Sequence, residues 1–102
     1  MRTNETAGSV PAREFRAVAS TYGNLACVYV NDVFGEADRT VVSVFFEKDG
    51  ERFKHFTFVL GQGKTRVTLT ELVVGKYHAE AVQFGDGGES VTAEVDFEIT
   101  AP

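Results

Sequence analysis

The sequence predicts an all-β domain in which seven antiparallel strands form a sandwich of two sheets. Apolar and polar residues alternate in several segments, and this period of two places successive side chains on opposite faces of a strand. Nine Phe and three Tyr, with no Trp, suit the half-buried surface of a sheet. Glycine or acidic residues mark a turn after each segment, and this spacing is typical of a sandwich.

The chain divides into an N-terminal arm, residues 1–12, and a domain, residues 13–102. The arm is polar and contains Gly8 and Pro11, so it has too little apolar surface to order itself and we expect it to be extended. A chain of 102 residues can bury roughly two-thirds of its unfolded surface without a disulfide or a metal. One folded domain is therefore expected.

The first two strands are predicted at residues 15–20 and 25–31. Apolar and polar residues alternate in the first strand, and Gly23 then marks a turn. The second strand is an unbroken apolar run. It ends at a loop, residues 32–38, that contains a glycine and several acids.

The strongest local signal is Asp49-Gly50, which lies between the third strand, residues 41–48, and the fourth strand, residues 51–60. This dipeptide favours a two-residue type I′ turn, because both positions of that turn need a positive φ. A regular turn of this kind fixes which residues lie opposite each other: Lys48 and Glu51, Glu47 and Arg52, Phe46 and Phe53. Two of these pairs join opposite charges, which stabilises the pairing by about a few tenths of a kcal/mol each.

Three further strands are predicted at residues 65–72, 76–84 and 91–100. Glycine-rich turns at residues 61–63 and 85–88 separate strands in this part of the chain. The alternation is most regular in the last strand, whose apolar residues share one face: Val91, Ala93, Val95, Phe97 and Ile99. Because a hairpin joins neighbouring strands, we expect the fourth strand to lie beside the third.

Residues 72–77, with the sequence Leu-Val-Val-Gly-Lys-Tyr, resemble the tyrosine corner of immunoglobulin-like and fibronectin type III domains. The resemblance implies that Leu72, Gly75 and Tyr77 are structural residues and that the Tyr77 hydroxyl bonds to backbone upstream. In family members with a disulfide, a cysteine follows the corner tyrosine by two positions, where this chain has Ala79. The resemblance therefore implies a sandwich that packing holds together without that bridge. With the fourth strand beside the third, it also implies that the first, second and fifth strands form one sheet and that the seventh, sixth, third and fourth form the other.

Cys27 is the only cysteine, and it lies in the apolar run of the second strand. A thiol in such a run is expected to be buried and to pack as a small apolar residue with a structural role. We expect neither an internal disulfide nor a nucleophile at this position.

The sequence indicates neither an enzyme nor a bound cofactor or metal. It contains no phosphate-binding glycine loop, dinucleotide-binding motif or serine elbow. His55 and His78, the only histidines, are predicted on strands that the third strand separates, so they should not share a metal. The net charge of −5 repels phosphate backbones and argues against nucleic acid as a partner. No apolar stretch has the length of a signal-peptide core or a membrane span, so we expect neither export nor membrane contact.

The loops after the second and sixth strands are expected at the same end of the sandwich. They gather carboxylates and two aromatic side chains: Asp32, Glu36, Asp38, Asp86 and Glu89 beside Phe34 and Phe84. Oxygen ligands in flexible loops could bind Ca²⁺, but their spacing matches no known calcium loop, so a solvated acidic rim is the preferred interpretation. A binding site that uses Phe34, Asp38, Phe84 and Asp86 is the alternative.

The hairpin around Asp49-Gly50 has more apolar residues than one sheet face needs. Regular pairing puts two apolar sets on opposite faces: Val42, Val44, Phe46, Phe53 and Val59 on one, and Val41, Phe45, Phe56, Phe58 and Leu60 on the other. Only one set can point into the sandwich, so the other is expected to form an exposed patch for a protein partner. The alternative is a bulge that switches the face midway. The first interpretation predicts these contact residues: Phe45, Phe46, Phe53, Phe56 and Phe58, together with Arg2 and Arg13 at the ends of the arm.

Residues 75–100 resemble the closing strands of small immunoglobulin-like domains in bacteriophage virion proteins. Both run from a Gly-x-Tyr motif through a strand and a Gly/Asp turn into an alternating strand. The resemblance implies a non-enzymatic virion protein, by preference a capsid decoration protein, that assembles in the host cytoplasm. Its expected partner is the major capsid protein, bound through the arm and the apolar sheet face. The alternative is a carbohydrate-binding or adhesion module from a larger secreted protein, which would contact sugar through exposed aromatic residues.

Overall fold

The computed structural model describes residues 13–35 and 40–100, except for the side chain of Gln62. Seven strands lie in this part of the chain: β1 (Ala17–Tyr22), β2 (Leu25–Val30), β3 (Val41–Lys48), β4 (Glu51–Val59), β5 (Arg66–Leu69), β6 (Gly75–Phe84) and β7 (Ser90–Ile99). A short 3₁₀ turn, Leu60–Gln62, follows β4. No helix in the described residues is long and apolar enough to cross a membrane.

The strands form the two antiparallel sheets that the sequence predicts. One sheet has the order β1-β2-β5 and the other has the order β4-β3-β6-β7. β1 packs beside β7, which closes one side of the sandwich. β4 and β5 are outermost on the other side, and no hydrogen-bond ladder joins these two described strands.

Two strands differ from their predicted bounds: β1 begins two residues later than predicted, and β5 is shorter than predicted. β1 begins at Ala17 because the preceding backbone pairs with a side chain instead of a strand. Asn31 Oδ1 accepts a hydrogen bond from the Arg16 N–H at 2.8 Å, and Asn31 Nδ2 donates to the Glu14 carbonyl at 3.0 Å. β5 stops short of Glu71, whose φ of 58° is incompatible with a strand.

The core lies between the sheets and consists of inward-facing apolar residues from both. Its buried members include Phe15, Val28, Val30, Val33, Val42, Val44, Phe46, Leu60, Val67, Leu69, Ala79 and Ala81. Phe46 is 0% exposed and meets two rings edge-on: Phe56 at 6.1 Å and Phe97 at 6.3 Å between centroids. Full burial of one such side chain contributes about 1.5–3 kcal/mol, and this cluster joins β3, β4 and β7.

The Asp49-Gly50 turn has the predicted conformation. Both residues have a positive φ, 55° and 81°, as a type I′ turn requires. The predicted neighbours beside the turn are also present: Lys48 opposite Glu51 and Glu47 opposite Arg52. Their charges pair elsewhere: Lys48 with Asp49 at 2.9 Å, and Arg52 with Glu80 at 3.0 Å. Turn geometry, rather than attraction across the hairpin, therefore sets the pairing at this point.

Beyond the turn, the hairpin contains a β-bulge that corrects the predicted pairing. The register shifts at Phe46, which lies opposite Lys54 instead of Phe53. An offset of one residue moves every later side chain of β4 to the other face of the sheet. Phe56 and Phe58 consequently point inward and pack against the core.

The prediction of an exposed apolar patch on this hairpin is therefore wrong, and the bulge alternative describes the structure. Phe46 is completely buried, while Phe56 and Phe58 are half-buried. Phe53 is exposed, but it lies at the end of the sandwich, where its ring meets Tyr77 edge-on at 5.8 Å. No continuous patch joins these side chains.

Cys27 was predicted to be buried, and this prediction is wrong. It lies on the outer face of the three-stranded sheet and not in the core. Its neighbours Ala26, Val28 and Val30 take the inward positions of β2, so Cys27 points outward and is half-buried. Its Sγ is 3.3 Å from Thr68 Oγ1 on β5. In an unbroken apolar run, the sequence does not indicate whether the odd-numbered or the even-numbered residues point inward. The pairing of β2 with its neighbouring strands determines which of them do.

The tyrosine-corner segment makes the contact that the resemblance implies. The Tyr77 hydroxyl donates a hydrogen bond to the Val73 carbonyl at 2.6 Å. Gly75 has a φ of 152°, and a Cβ at this position would lie 2.6 Å from Lys48 Cε, so any larger residue would displace that side chain. Leu72 packs against the core from the same segment.

Tyr77→Phe should lower the free energy of unfolding by about 1–2 kcal/mol, because the Val73 carbonyl loses its partner in a largely buried site. Urea unfolding of both proteins measures the difference. Tyr22→Phe is the matched control: the Tyr22 side chain is 84% exposed, so its hydroxyl should contribute little. Equal stability of Tyr77→Phe and the unmodified protein would contradict a stabilising corner.

Candidate functional site

A buried glutamine organises the end of the sandwich where the arm joins it. Gln83 is 0% exposed and lies on the inward face of β6. Its Nε2 donates to the Asn31 carbonyl at 2.7 Å, and its Oε1 accepts from the Val33 N–H at 3.0 Å. Because the Asn31 side chain holds the backbone of Glu14 and Arg16, these contacts connect β6 to the point where the chain enters β1.

The side chain of Asp32 holds the backbone of the acidic loop after β2. Asp32 Oδ1 accepts hydrogen bonds from the N–H groups of Phe34 and Gly35, both at 3.1 Å. Phe34 is buried in the core, which corrects its prediction as a loop-end contact. Glu36 and Asp38 lie outside the described residues. Among the residues that are described, no group of three His, Cys, Asp or Glu could hold a metal ion.

The loop between β6 and β7 is a hairpin tip, as predicted. The Gly85 N–H donates to the Glu89 carbonyl at 2.9 Å, and the Gly88 N–H donates to the Gly85 carbonyl at 3.2 Å. The Glu89 carboxylate folds over the loop, since a Cβ on Gly85 would lie 2.8 Å from its Oε1. Phe84 and Asp86 are both exposed beside this tip, so these two predicted loop-end residues do lie together.

Polar groups cover the outer face of the β3–β4 hairpin. Phe45 stacks on His55 with 4.3 Å between ring centroids, and the Arg52 guanidinium lies 4.4 Å from the Phe45 ring. Thr57 Oγ1 extends the network, at 3.0 Å from His55 Nε2 and 3.1 Å from Ser43 Oγ. Phe45 is therefore half-buried under neighbouring side chains and is not part of an open apolar surface.

A histidine between two carboxylates lies on the same sheet, on β6 and β7. His78 Nδ1 is 2.6 Å from Asp96 Oδ1, and His78 Nε2 is 2.8 Å from Glu94 Oε1. The hydrogen bond to Asp96 is the main reason that the pKa of His78 lies above its ordinary value of 6.5, and Glu94 adds to the effect against partial desolvation. His55 lies on β4, on the far side of β3.

The outer face of β1 and β2 carries exposed apolar side chains. Val18 is 56% exposed and lies opposite Tyr29, which is 38% exposed. Three cross-strand pairs make up this surface, which we call the β1–β2 outer face: Val18 and Tyr29, Ser20 and Cys27, Tyr22 and Leu25. Adjacent pairs on one side of a sheet are contiguous, so these residues form one surface.

One of the two predicted contact residues of the arm lies within the described residues and the other lies outside them. Arg13 is exposed and precedes β1 by a short segment. Arg2 lies outside the described residues. The sequence does not indicate the β1–β2 outer face, because the alternation around Ala17 and Ala19 assigns Val18 to the polar side of its strand.

The two-sheet sandwich and the Tyr77 hydrogen bond are compatible with an immunoglobulin-like domain. No protein-family model matches the sequence, and no curated protein matches it either. The likeness to that class of domain therefore lies in the architecture and the corner.

Asp96→Asn should lower the pKa of His78 toward 6.5, because the hydrogen bond to Asp96 is its largest cause. A titration of the imidazole protons by NMR measures this change. A raised pKa in the folded state means that protonated His78 stabilises the fold below pH 6.5, and that this contribution is lost as pH rises through the raised value.

Glu98→Gln is the control for this titration, because Glu98 is an exposed acid on β7 that makes no contact with the imidazole among the described residues. It should leave the pKa of His78 nearly unchanged. A pKa at or below 6.5 in the unmodified protein, or one that Asp96→Asn does not alter, would contradict the assignment.

Proposed function

We propose that this chain is a non-enzymatic binding module with an immunoglobulin-like fold, and that it is a capsid decoration protein of a bacteriophage. The observation that carries the proposal is the continuity between the arm and the β1–β2 outer face. The arm joins the domain at Arg13, and β1, which contributes Val18 to that face, begins at Ala17. One protein partner could therefore contact both.

The β1–β2 outer face has the side chains of a protein interface. Val18, Tyr22 and Tyr29 are large apolar or aromatic residues that remain exposed. Aromatic residues are enriched at protein interfaces, and contiguous exposed apolar patches commonly mark them. The Arg66 guanidinium lies 6.0 Å from the Tyr29 ring, so a cation adjoins this apolar surface.

This face replaces the β3–β4 hairpin as the proposed apolar contact. The hairpin offers little apolar surface, because the bulge turns Phe56 and Phe58 inward and polar groups cover Phe45. The β1–β2 outer face offers more, and β1 begins only four residues after Arg13, where the described chain starts. Two modest contacts joined by a short linker raise the overall affinity, because the second contact forms within an already bound molecule.

The virion assignment is supported by the resemblance of residues 75–100 to the closing strands of immunoglobulin-like virion domains. It makes the major capsid protein the proposed partner and the virion the proposed location. A carbohydrate-binding or adhesion module is the second candidate. It is favoured by one observation, the exposed ring of Phe84 beside the β6–β7 hairpin tip.

Deletion of residues 1–12 should leave the melting temperature of the domain nearly unchanged, because the described core begins at Phe15. The same deletion should sharply reduce co-sedimentation with capsids prepared without this protein. Val18→Lys should also weaken binding, by about tenfold, because a charge at a desolvated apolar contact costs roughly 1–2 kcal/mol.

Thr92→Lys is the matched control for Val18→Lys, because it adds the same charge at an exposed position of the other sheet. It should bind capsids as well as the unmodified protein. Full binding by the truncated chain would contradict the proposal. So would binding of the full chain to glycans on an array without binding to any virion component, which would favour the second candidate.

A further inference from the structure

The sandwich is open on the side away from β1 and β7. Among the described strands, β4 is the outer strand of one sheet and β5 is the outer strand of the other, so each has a hydrogen-bonded neighbour on one side only within residues 13–35 and 40–100. Residues from both strands line a groove of about 590 Å³. Two free sheet edges therefore border this groove.

The floor of the groove is apolar. Phe56 and Phe58 from β4 and Val67 from β5 line it, and all three pack against the core. The two phenylalanine side chains are only half-buried, so part of each ring still faces the groove and solvent. Apolar side chains of a ligand would remove that surface from water, which favours binding.

The rim of the groove is cationic, although the net charge of the chain is −5. Lys64 and Arg66 line the groove, and the Lys54 ammonium lies 5.6 Å from the centroid of the Phe56 ring. None of these three cations forms an ion pair with a carboxylate in the described part of the chain. The groove is lined by no acidic residue among those described. An anionic ligand would complement this local charge.

The free edge of β4 fits an extended ligand. This strand is 9 residues long, so it presents a row of backbone N–H and C=O groups to the open side. Strand addition to such an edge uses the backbone groups for affinity and the alternate side chains for specificity. One set of ligand side chains would point toward Phe56 and Phe58, and the other set would point away from the floor.

We propose that this groove binds an extended acidic segment of a protein partner, which adds to the edge of β4 as a further strand of its sheet. The segment combines apolar residues, which contact the floor, with carboxylates, which pair with Lys54, Lys64 and Arg66. The site shares Arg66 with the margin of the β1–β2 outer face, where this guanidinium adjoins Tyr29, but it uses none of the apolar residues of that face and does not depend on attachment to a capsid.

Single-stranded nucleic acid shares the negative charge, but two observations favour a peptide. The outer face of the four-stranded sheet carries Glu80, Glu94 and Asp96 on β6 and β7, beyond the groove, so a polyanion that extends past the groove is repelled whereas a short segment within it is not. A nucleic acid also cannot form a β-ladder with the free edge of β4, whereas an extended peptide can.

The test is fluorescence anisotropy with the full-length chain and a labelled synthetic peptide, as long as β4, in which Glu and Val alternate. We expect saturable binding that weakens as NaCl is added, because the rim cations are exposed and are screened by salt. The double variant Lys64→Glu with Arg66→Glu should weaken binding by about tenfold or more. Lys76→Glu, the same reversal at an exposed lysine on β6, should not. Thermal melts followed by circular dichroism verify that each variant is folded.

Two altered peptides test the same inference with the unmodified protein. Replacing every Glu of the peptide by Lys tests the charge requirement. Replacing every Val by Pro tests the strand requirement, because proline lacks the N–H that a β-ladder needs. Neither peptide should bind.

Failure of the Glu–Val peptide to bind would overturn the inference, as would equal binding of the Lys or Pro peptide or full affinity in the double variant. Binding of a labelled single-stranded oligonucleotide in place of the peptide would assign the groove to nucleic acid instead. Self-association that the double variant abolishes would assign it to a second copy of this chain. Sedimentation of the protein alone detects that last outcome.

Discussion

The shift of one residue in the pairing of β3 with β4 is the constraint on which the rest of the sandwich depends. With regular pairing, Phe56 and Phe58 would lie on the outer face of the sheet. The bulge at Phe53 turns both inward, where they pack against the core. Even half-burial of two phenylalanines gains about 1.5–3 kcal/mol, whereas the irregularity gives up about one ladder hydrogen bond, worth roughly 0.5–1.5 kcal/mol. Hydrophobic burial therefore decides the register.

The groove follows from this register, and so does the absence of an apolar patch on the β3–β4 hairpin. The inward turn of Phe56 and Phe58 places their rings at the floor of the groove between β4 and β5. The same turn leaves His55 and Thr57 on the outer face, where they cover Phe45 with polar contacts. The outer face of the β3–β4 hairpin thus presents polar groups to solvent, and the contiguous exposed apolar side chains lie on the β1–β2 outer face instead. A module with these properties has separate places for a protein surface and for an extended peptide.

Local signals in the sequence were sufficient for most strands and for the Asp49-Gly50 turn, because each depends on neighbouring residues. The sheet order pairs strands that are far apart in the chain, such as β2 and β5, and it followed from the resemblance of residues 72–77. The sequence allows the bulge but does not favour it. Both faces of the hairpin are apolar, and the period of two does not show where an extra residue enters the strand. The side of β2 that Cys27 occupies depends on pairing, because its strand is apolar throughout. The sequence distinguishes Gln83 only as a polar residue at an inward position of β6 whose other inward residues are largely apolar. Its hydrogen-bond partner Val33 is 50 residues away in the sequence, so local patterns do not reveal the contact.

The register of the β3–β4 hairpin is the most direct test of this account, and nuclear Overhauser contacts between backbone protons of the two strands measure it in solution. The account predicts contacts of Phe46 with Lys54 and of Val44 with Phe56. Contacts of Phe46 with Phe53 and of Val44 with His55 would contradict it. They would place Phe56 and Phe58 on the outer face, remove the floor of the groove and restore an apolar patch to the hairpin.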